Sequence, residues 1–184
     1  NLFVFEDQKV IEAYQKKYEA MLLVTYDNVN ISSMNTSQMK ELVDRYTDER
    51  NDSSPEDFAI ASSTLGAISK AVTEVQALRT SDPAKLAVMN NKAVGDMLDQ
   101  GVADLVSGRG ASGMMAFFES VIISQDEIGI TGKDQRLLPT DTAAKIASQL
   151  SKLNLEVAPV VLDQIIGSIG DKSDRFMAEL KAAG

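Results

Sequence analysis

Apolar residues recur every three or four positions along most of the chain, the pattern of helices that bury one face. Strand signals are nearly absent, because no Asn-Gly or Asp-Gly hairpin turn lies between alternating runs. The pattern therefore predicts an all-α fold, a multi-helix bundle of about seven or eight helices. The first predicted helix covers about residues 6–26. The seven others begin near Asn35, Ser54, Pro83, Ser112, Pro139, Pro159 and Ser173.

Three of these helices have a recognisable start. Asn35 with Gln38 three residues later is a capping-box arrangement. Ser54-Pro55 and Asp82-Pro83 each combine a capping side chain with a proline that suits the first helical position. From Pro83 the pattern continues to about Val106, so one helix is predicted there. Gly95 and Gly101 lie inside it and indicate a kink or a close helix crossing.

One segment departs from the helical pattern. Ile128 and Ile130 alternate around Gly129, which makes a very short β element near residues 126–131 an alternative to a plain loop. The length of 184 residues suits a single helical domain over residues 1–184. Breaks in the pattern near 80–82 and in composition near 108–113 mark two places for a subdivision.

The chain is acidic, with a formal net charge of −9 at pH 7 and no run of Lys or Arg longer than Lys16-Lys17. This charge disfavours nucleic-acid binding, which depends on basic side chains against phosphates. No apolar stretch approaches the roughly 18 residues of a membrane span. We expect a soluble protein, but the sequence leaves open whether it is cytoplasmic or exported, and whether Asn1 is a processed end.

The chain has no His and no Cys. Triads built on histidine, zinc sites of Cys and His, and haem or iron–sulfur ligation through these residues are therefore excluded. Carboxylate acid–base chemistry and oxygen-ligated Mg²⁺ remain. Adjacent acidic pairs such as Glu56-Asp57 are typical of solvated faces and helix starts. We assign no catalytic residue, no metal ligand and no cofactor.

A glycine-rich segment from Gly108 to Gly113 matches the G-x-G-x-x-G pattern of a dinucleotide-binding turn. That interpretation requires a strand ending at Ser107 and a βαβ unit, and no other such unit is visible. A plain reversal between two helices is the alternative. A third interpretation makes the segment an adaptable interaction loop with an apolar contact surface. Its candidate residues are Arg109, Met114, Met115, Phe117 and Phe118.

Two function classes remain, with a third kept open. The first is a non-enzymatic helical module that binds another protein or itself, and its composition suits an exported bacterial or virion-associated component. The second is a carboxylate-based hydrolase or transferase, with or without Mg²⁺, which would need a cleft holding two carboxylates of divergent pKa. The third is nucleotide or small-ligand binding at residues 108–113.

Overall fold

The computed structural model describes residues 31–107, 109, 112–152, 156 and 158–184. Within those ranges the chain forms eight α-helices and no strand, which confirms the predicted all-α bundle. The helix predicted over residues 6–26 lies outside the described residues. The helices are α1 (Thr36–Asp52), α2 (Phe58–Ser81), α3 (Pro83–Asn90), α4 (Lys92–Val106), α5 (Ser112–Glu127), α6 (Thr140–Leu150), α7 (Ala158–Ile169) and α8 (Ser173–Ala183).

Two compact units make up the chain, and the division falls between Gln76 and Ala77, within α2. In the first unit the buried apolar side chains include Met39, Leu42 and Tyr46 of α1. The second unit, from Ala77 to Gly184, contains α3 to α8 and the larger core. The single-domain interpretation, with its subdivision near 80–82 or 108–113, stays a prediction.

Two of the predicted helix starts are confirmed by their hydrogen bonds. At α1 the Asn35 Oδ1 accepts the Gln38 N–H at 3.0 Å, and the Gln38 Oε1 accepts the Asn35 N–H at 2.8 Å. This reciprocal pair is a capping box, and it satisfies two donors that the first helical turn leaves free. At α3 the Asp82 Oδ1 accepts the Lys85 N–H at 3.1 Å, with Pro83 in the first helical position.

The long helix predicted from Pro83 to about Val106 is wrong in one respect, because it is two helices. The chain leaves helical geometry at Asn91, where φ is −132° and ψ is 102°. The Asn91 Oδ1 then accepts the Ala93 N–H at 3.0 Å and caps α4. Asn side chains compete for backbone hydrogen bonds in this way at helix starts. The helix can therefore be interrupted at Asn91 although the helical spacing of apolar residues continues through it.

Two other starts differ from the sequence expectation. Residues 55–57 form a turn, so α2 begins at Phe58 and not at Pro55, although the Ser54 carbonyl accepts the Phe58 N–H at 2.9 Å. Ser173 lies inside the first turn of α8 and makes no capping hydrogen bond from its side chain. Hydrophobic periodicity predicts the ends of helices less accurately than it predicts their existence.

The core of the second unit is built around α5. Phe117 and Phe118 are fully buried there, and the Phe118 ring lies 5.8 Å from that of Phe176 on α8, at an interplanar angle of 55°. Tilted aromatic pairs at this separation are favourable beyond the area they bury. The remaining core side chains come from α3, α4, α6, α7 and α8 and from Leu137 and Leu138 before α6, so the inner face of α5 packs against the other helices.

The close helix crossing expected at the predicted glycines is confirmed at Gly101. A Cβ built on Gly101 would lie 3.2 Å from the Met114 nitrogen and 3.3 Å from the Gly113 carbonyl carbon. A Cβ built on Gly113 would lie 3.3 Å from the Gly101 Cα. The backbones of α4 and α5 therefore come into close contact at a point where each helix has a glycine. The third glycine of the 108–113 segment has a packing role.

No strand forms at residues 126–131. Instead, Gly129 takes a φ of +81° just after α5. The Gly129 N–H donates to the Asp126 carbonyl at 2.9 Å, and the Ile130 N–H donates to the Gln125 carbonyl at 2.8 Å. This pair of bonds is a Schellman motif, whose glycine has the left-handed conformation. The alternation of Ile128 and Ile130, both buried, comes from this turn.

Candidate functional site

A cleft of about 510 Å³ in the second unit has a partly polar and charged lining. It lies where the end of α2, the start of α3, the start of α6 and the face of α8 come together. Its apolar lining includes Leu138 and Ala143. Its polar and charged lining consists of Ser81, Asp82, Lys85, Arg136, Thr140 and Glu179. Because it holds two carboxylates, this cleft is where the carboxylate-enzyme hypothesis would apply.

Asp82 is buried at this cleft and caps two helices at once. Its Oδ1 accepts the Lys85 N–H of α3 at 3.1 Å, and its Oδ2 accepts the Thr140 N–H of α6 at 2.9 Å. A negative side chain at the positive end of a helix dipole is stabilising, and here one carboxylate serves two helix ends. The side chain joins parts of the chain 58 residues apart.

Glu179 has the corresponding role on the other side of the cleft. Its Oε1 and Oε2 accept the N–H groups of Leu137 and Leu138, both at 2.8 Å. Burial raises the pKa of the Glu179 carboxyl above its ordinary value of 4.5, although these two N–H groups and the charges of Arg136 and Arg175 act in the opposite direction. Glu179 thus holds the segment that leads into α6.

A third polar group holds the same segment. Gln125 is fully buried, and its amide forms a pair of bonds with the backbone of Arg136. The Arg136 N–H donates to the Gln125 Oε1 at 2.9 Å, while the Gln125 Nε2 donates to the Arg136 carbonyl at 2.8 Å. Buried amides need such partners, since an unpaired polar group is costly. Sequence reasoning missed Gln125, Asp82 as a double cap and Glu179.

The rim of the cleft carries one ion pair. The Lys85 ammonium lies 3.2 Å from an Asp141 carboxylate oxygen. Burial alone would raise the pKa of Asp141, but the hydrogen bond and charge of Lys85, with the N–H of Thr142, hold it below the ordinary 3.8. An ion pair this exposed contributes little to stability.

All four carboxylate oxygens of Asp82 and Glu179 accept hydrogen bonds from backbone N–H groups. These two side chains therefore support a loop and two helix ends.

The glycine-rich segment does not have the setting of a dinucleotide-binding turn. Residues 92–106, which that interpretation required to end in a strand, are helix α4. Arg109 is exposed and folds back on that helix. One of its guanidinium nitrogens lies 2.8 Å from the Asp104 carboxylate, and its backbone N–H donates a hydrogen bond to the Asp104 carbonyl at 2.9 Å. The dinucleotide interpretation therefore lacks the strand on which it depended.

The five candidate interaction residues do not lie together on one surface. Met114, Phe117 and Phe118 are fully buried in the core, and Met115 is partly buried against it. Only Arg109 of the five is exposed. The contact surface predicted from these apolar side chains is therefore not formed by Met114, Phe117 or Phe118, because helical packing turns them inward. A role for Arg109 and Met115 in binding stays a prediction.

A second concavity is almost wholly apolar. It has a volume of about 430 Å³ and lies on α6, α7 and α8. We call it the apolar groove, and its lining residues are Ala147, Leu150, Leu162, Met177, Ala178, Leu180 and Lys181. Beyond it on α7, Val160 and Ile166 are 55% and 37% exposed, and Ile166 lies one turn from Leu162. This helix thus exposes apolar side chains as well as burying Ile165.

The described ranges contain no group of three or more acidic side chains placed to hold a metal ion. In the same part of the chain, no helix is both long and apolar enough to cross a membrane. No protein-family model, curated protein or solved structure matches the chain.

Proposed function

We propose that this chain is a non-enzymatic protein-interaction module that assembles with a second copy of itself through the apolar groove. The observation that carries the proposal is the groove itself, whose lining has Lys181 as its single charged residue. Helices that face water normally present polar side chains, so a lining that is almost wholly apolar makes this groove a candidate contact surface. No comparable observation favours the hydrolase or nucleotide alternatives.

Charge supports a second copy as the occupant. Helices α6, α7 and α8 together carry four acidic and three basic side chains, so this region is nearly neutral although the whole chain has a charge of −9. Two identical surfaces with little net charge approach each other without strong repulsion. An interface between two copies related by a twofold axis uses the same patch on both, so one surface of each copy is sufficient for a dimer.

The test is light scattering after size exclusion, over a hundredfold concentration range, on the unaltered chain and two variants. Ala178→Glu places a charge at an exposed position that lines the groove. Ser148→Glu places the same charge at an exposed α6 position outside the groove lining. We expect a concentration-dependent dimer for the unaltered chain and Ser148→Glu, and a monomer for Ala178→Glu.

Two outcomes would overturn the proposal. One is a monomer at every concentration for the unaltered chain. The other is assembly of Ala178→Glu that equals that of the unaltered chain, since a buried unpaired charge must weaken an apolar contact. Far-ultraviolet circular dichroism of both variants checks that they keep the helical fold.

A further inference from the structure

A second surface of the molecule differs from the apolar groove in both shape and charge. It is the outer side of α4 and α5, opposite the core that Phe117 and Phe118 fill. The backbones of the two helices approach each other closely at the Gly101–Gly113 crossing. The Ser120 hydroxyl donates to the Met97 sulfur at 3.5 Å and connects the helices on this side.

Apolar side chains follow that line of contact. Met97 is 40% exposed and Ile123 is 57% exposed, and Ile123 lies one turn along α5 from Ser120. Exposed Ala93 is one turn from Met97, and exposed Ala116 is one turn from Ser120. Residues three or four apart share a helix face, so these residues form one apolar strip across the two helices.

The charges beside the strip are mostly negative, and the exception on α4 is Lys92, which is paired with Asp96. Helices α4 and α5 carry six carboxylates against one lysine, and α5 has no basic residue at all. Glu119 and Glu127 lie four residues before and four residues after Ile123, which puts acid, apolar and acid side chains on one face. Both glutamates are exposed, and neither is in an ion pair within the described residues. Helices α6 to α8, by contrast, are nearly neutral.

We propose that the α4–α5 strip binds an amphipathic helix of a basic partner protein, one that carries an apolar side chain flanked by Lys or Arg one turn to either side. The apolar residue packs against Ile123 and Met97, while the flanking cations lie against Glu119 and Glu127. Two copies of this acidic face repel each other, which disfavours self-association through it. The inference deepens the proposed function by naming a partner class, and it rests on the chain being an interaction module.

The probe is a helical peptide of about 18 residues with leucine at three- and four-residue spacing, lysine elsewhere and one tryptophan. Because the chain contains no Trp, the tryptophan emission of the peptide is measured with selective excitation that the four tyrosines of the chain scarcely absorb. A peptide of the same pattern with glutamate in place of lysine is the charge control. We expect the basic peptide to bind, with amide shifts concentrated on α4 and α5, and to bind more weakly as salt is raised.

Matched charge reversals test the location. The double variant Glu119→Lys/Glu127→Lys should weaken binding about tenfold or more, since it changes two attractive pairs into two repulsive ones. Asp48→Lys/Asp52→Lys makes the same charge change at two exposed α1 positions, also four residues apart, and should leave the affinity within about twofold. Ile123→Ser should weaken binding severalfold while leaving the acidic rim unchanged.

The proposal is overturned if the basic peptide does not bind, if the acidic peptide binds equally, if the shifts map elsewhere, or if the two double variants weaken binding equally. Light scattering on the same samples separates this failure from failure of the proposed function. A dimer through the apolar groove with no peptide bound at α4–α5 would remove only the basic-partner inference.

Discussion

Replacing Gly101 by alanine tests the close packing of α4 on α5. The added methyl would lie 2.7 Å from the Met114 sulfur, 3.2 Å from the Met114 nitrogen and 3.3 Å from the Gly113 carbonyl carbon. The sulfur can move by a change of rotamer, but the two backbone atoms move only if the helices separate. Overpacking costs about 1–3 kcal/mol, and the gain in helix propensity returns up to about 1 kcal/mol. We expect Gly101→Ala to lower the free energy of unfolding by about 1–2 kcal/mol.

Gly95→Ala is the matched control in the same helix. Its methyl would lie 3.5 Å from Val88 Cγ1, an ordinary contact, so the propensity gain should dominate and stabilise the chain by about 0.5–1 kcal/mol. Urea unfolding followed by far-ultraviolet circular dichroism measures both variants. If Gly101→Ala is as stable as Gly95→Ala, the crossing has room for a side chain and the close packing of α4 on α5 is disproved.

Three further predictions concern the polar groups around the cleft. Asp82→Ala should cost about 2–3 kcal/mol in the same urea assay, because two helix ends lose their cap, whereas Asp82→Asn, which keeps one acceptor, should cost less; equal losses would contradict the double cap. Gln125→Ala should cost about 3 kcal/mol and increase amide exchange near Arg136, and unchanged exchange there would contradict the bracing role. The folded form binds the Glu179 proton more tightly than the unfolded chain, so this group's stabilisation is greatest below pH 4.5 and is lost as pH rises through the raised pKa. A carboxyl NMR titration of Glu179 should have its midpoint above 4.5, and a midpoint below 4.5 would contradict that sign.

Local side-chain chemistry made two of the helix starts predictable. The Asn35–Gln38 box and the Asp82-Pro83 start follow from residues within one turn, and the structure has both. Gly101 was also predictable as a crossing, since glycine inside a helix has a cost that a close approach offsets. The break at Asn91 was not predicted, because the helical spacing of apolar residues continues on both sides of it. Only the hydrogen bond from the Ala93 N–H to the Asn91 side chain shows that a new helix begins there.

The candidate site was less predictable, because it depends on contacts between distant parts of the chain. The period of α5 marked Met114, Phe117 and Phe118 as one apolar face, and only the fold decides that this face is the buried one. The second Asp82 bond spans 58 residues, and the Glu179 bonds span 41 and 42, so no local pattern indicates them. Ile128 and Ile130 matched a strand over too few residues to exclude a glycine turn.

Assembly through the apolar groove is tested most directly by paramagnetic broadening between two copies. The chain has no Cys, so Ser148→Cys provides a single attachment point for a spin label beside the groove and outside its lining. The labelled copy carries no ¹⁵N and is mixed with an unlabelled copy enriched in ¹⁵N. We expect broadening of the enriched copy's amides around Leu150, Leu162 and Met177, and we expect Ala178→Glu to remove it. Absence of broadening at high concentration, or broadening confined to other surfaces, would contradict assembly through the groove.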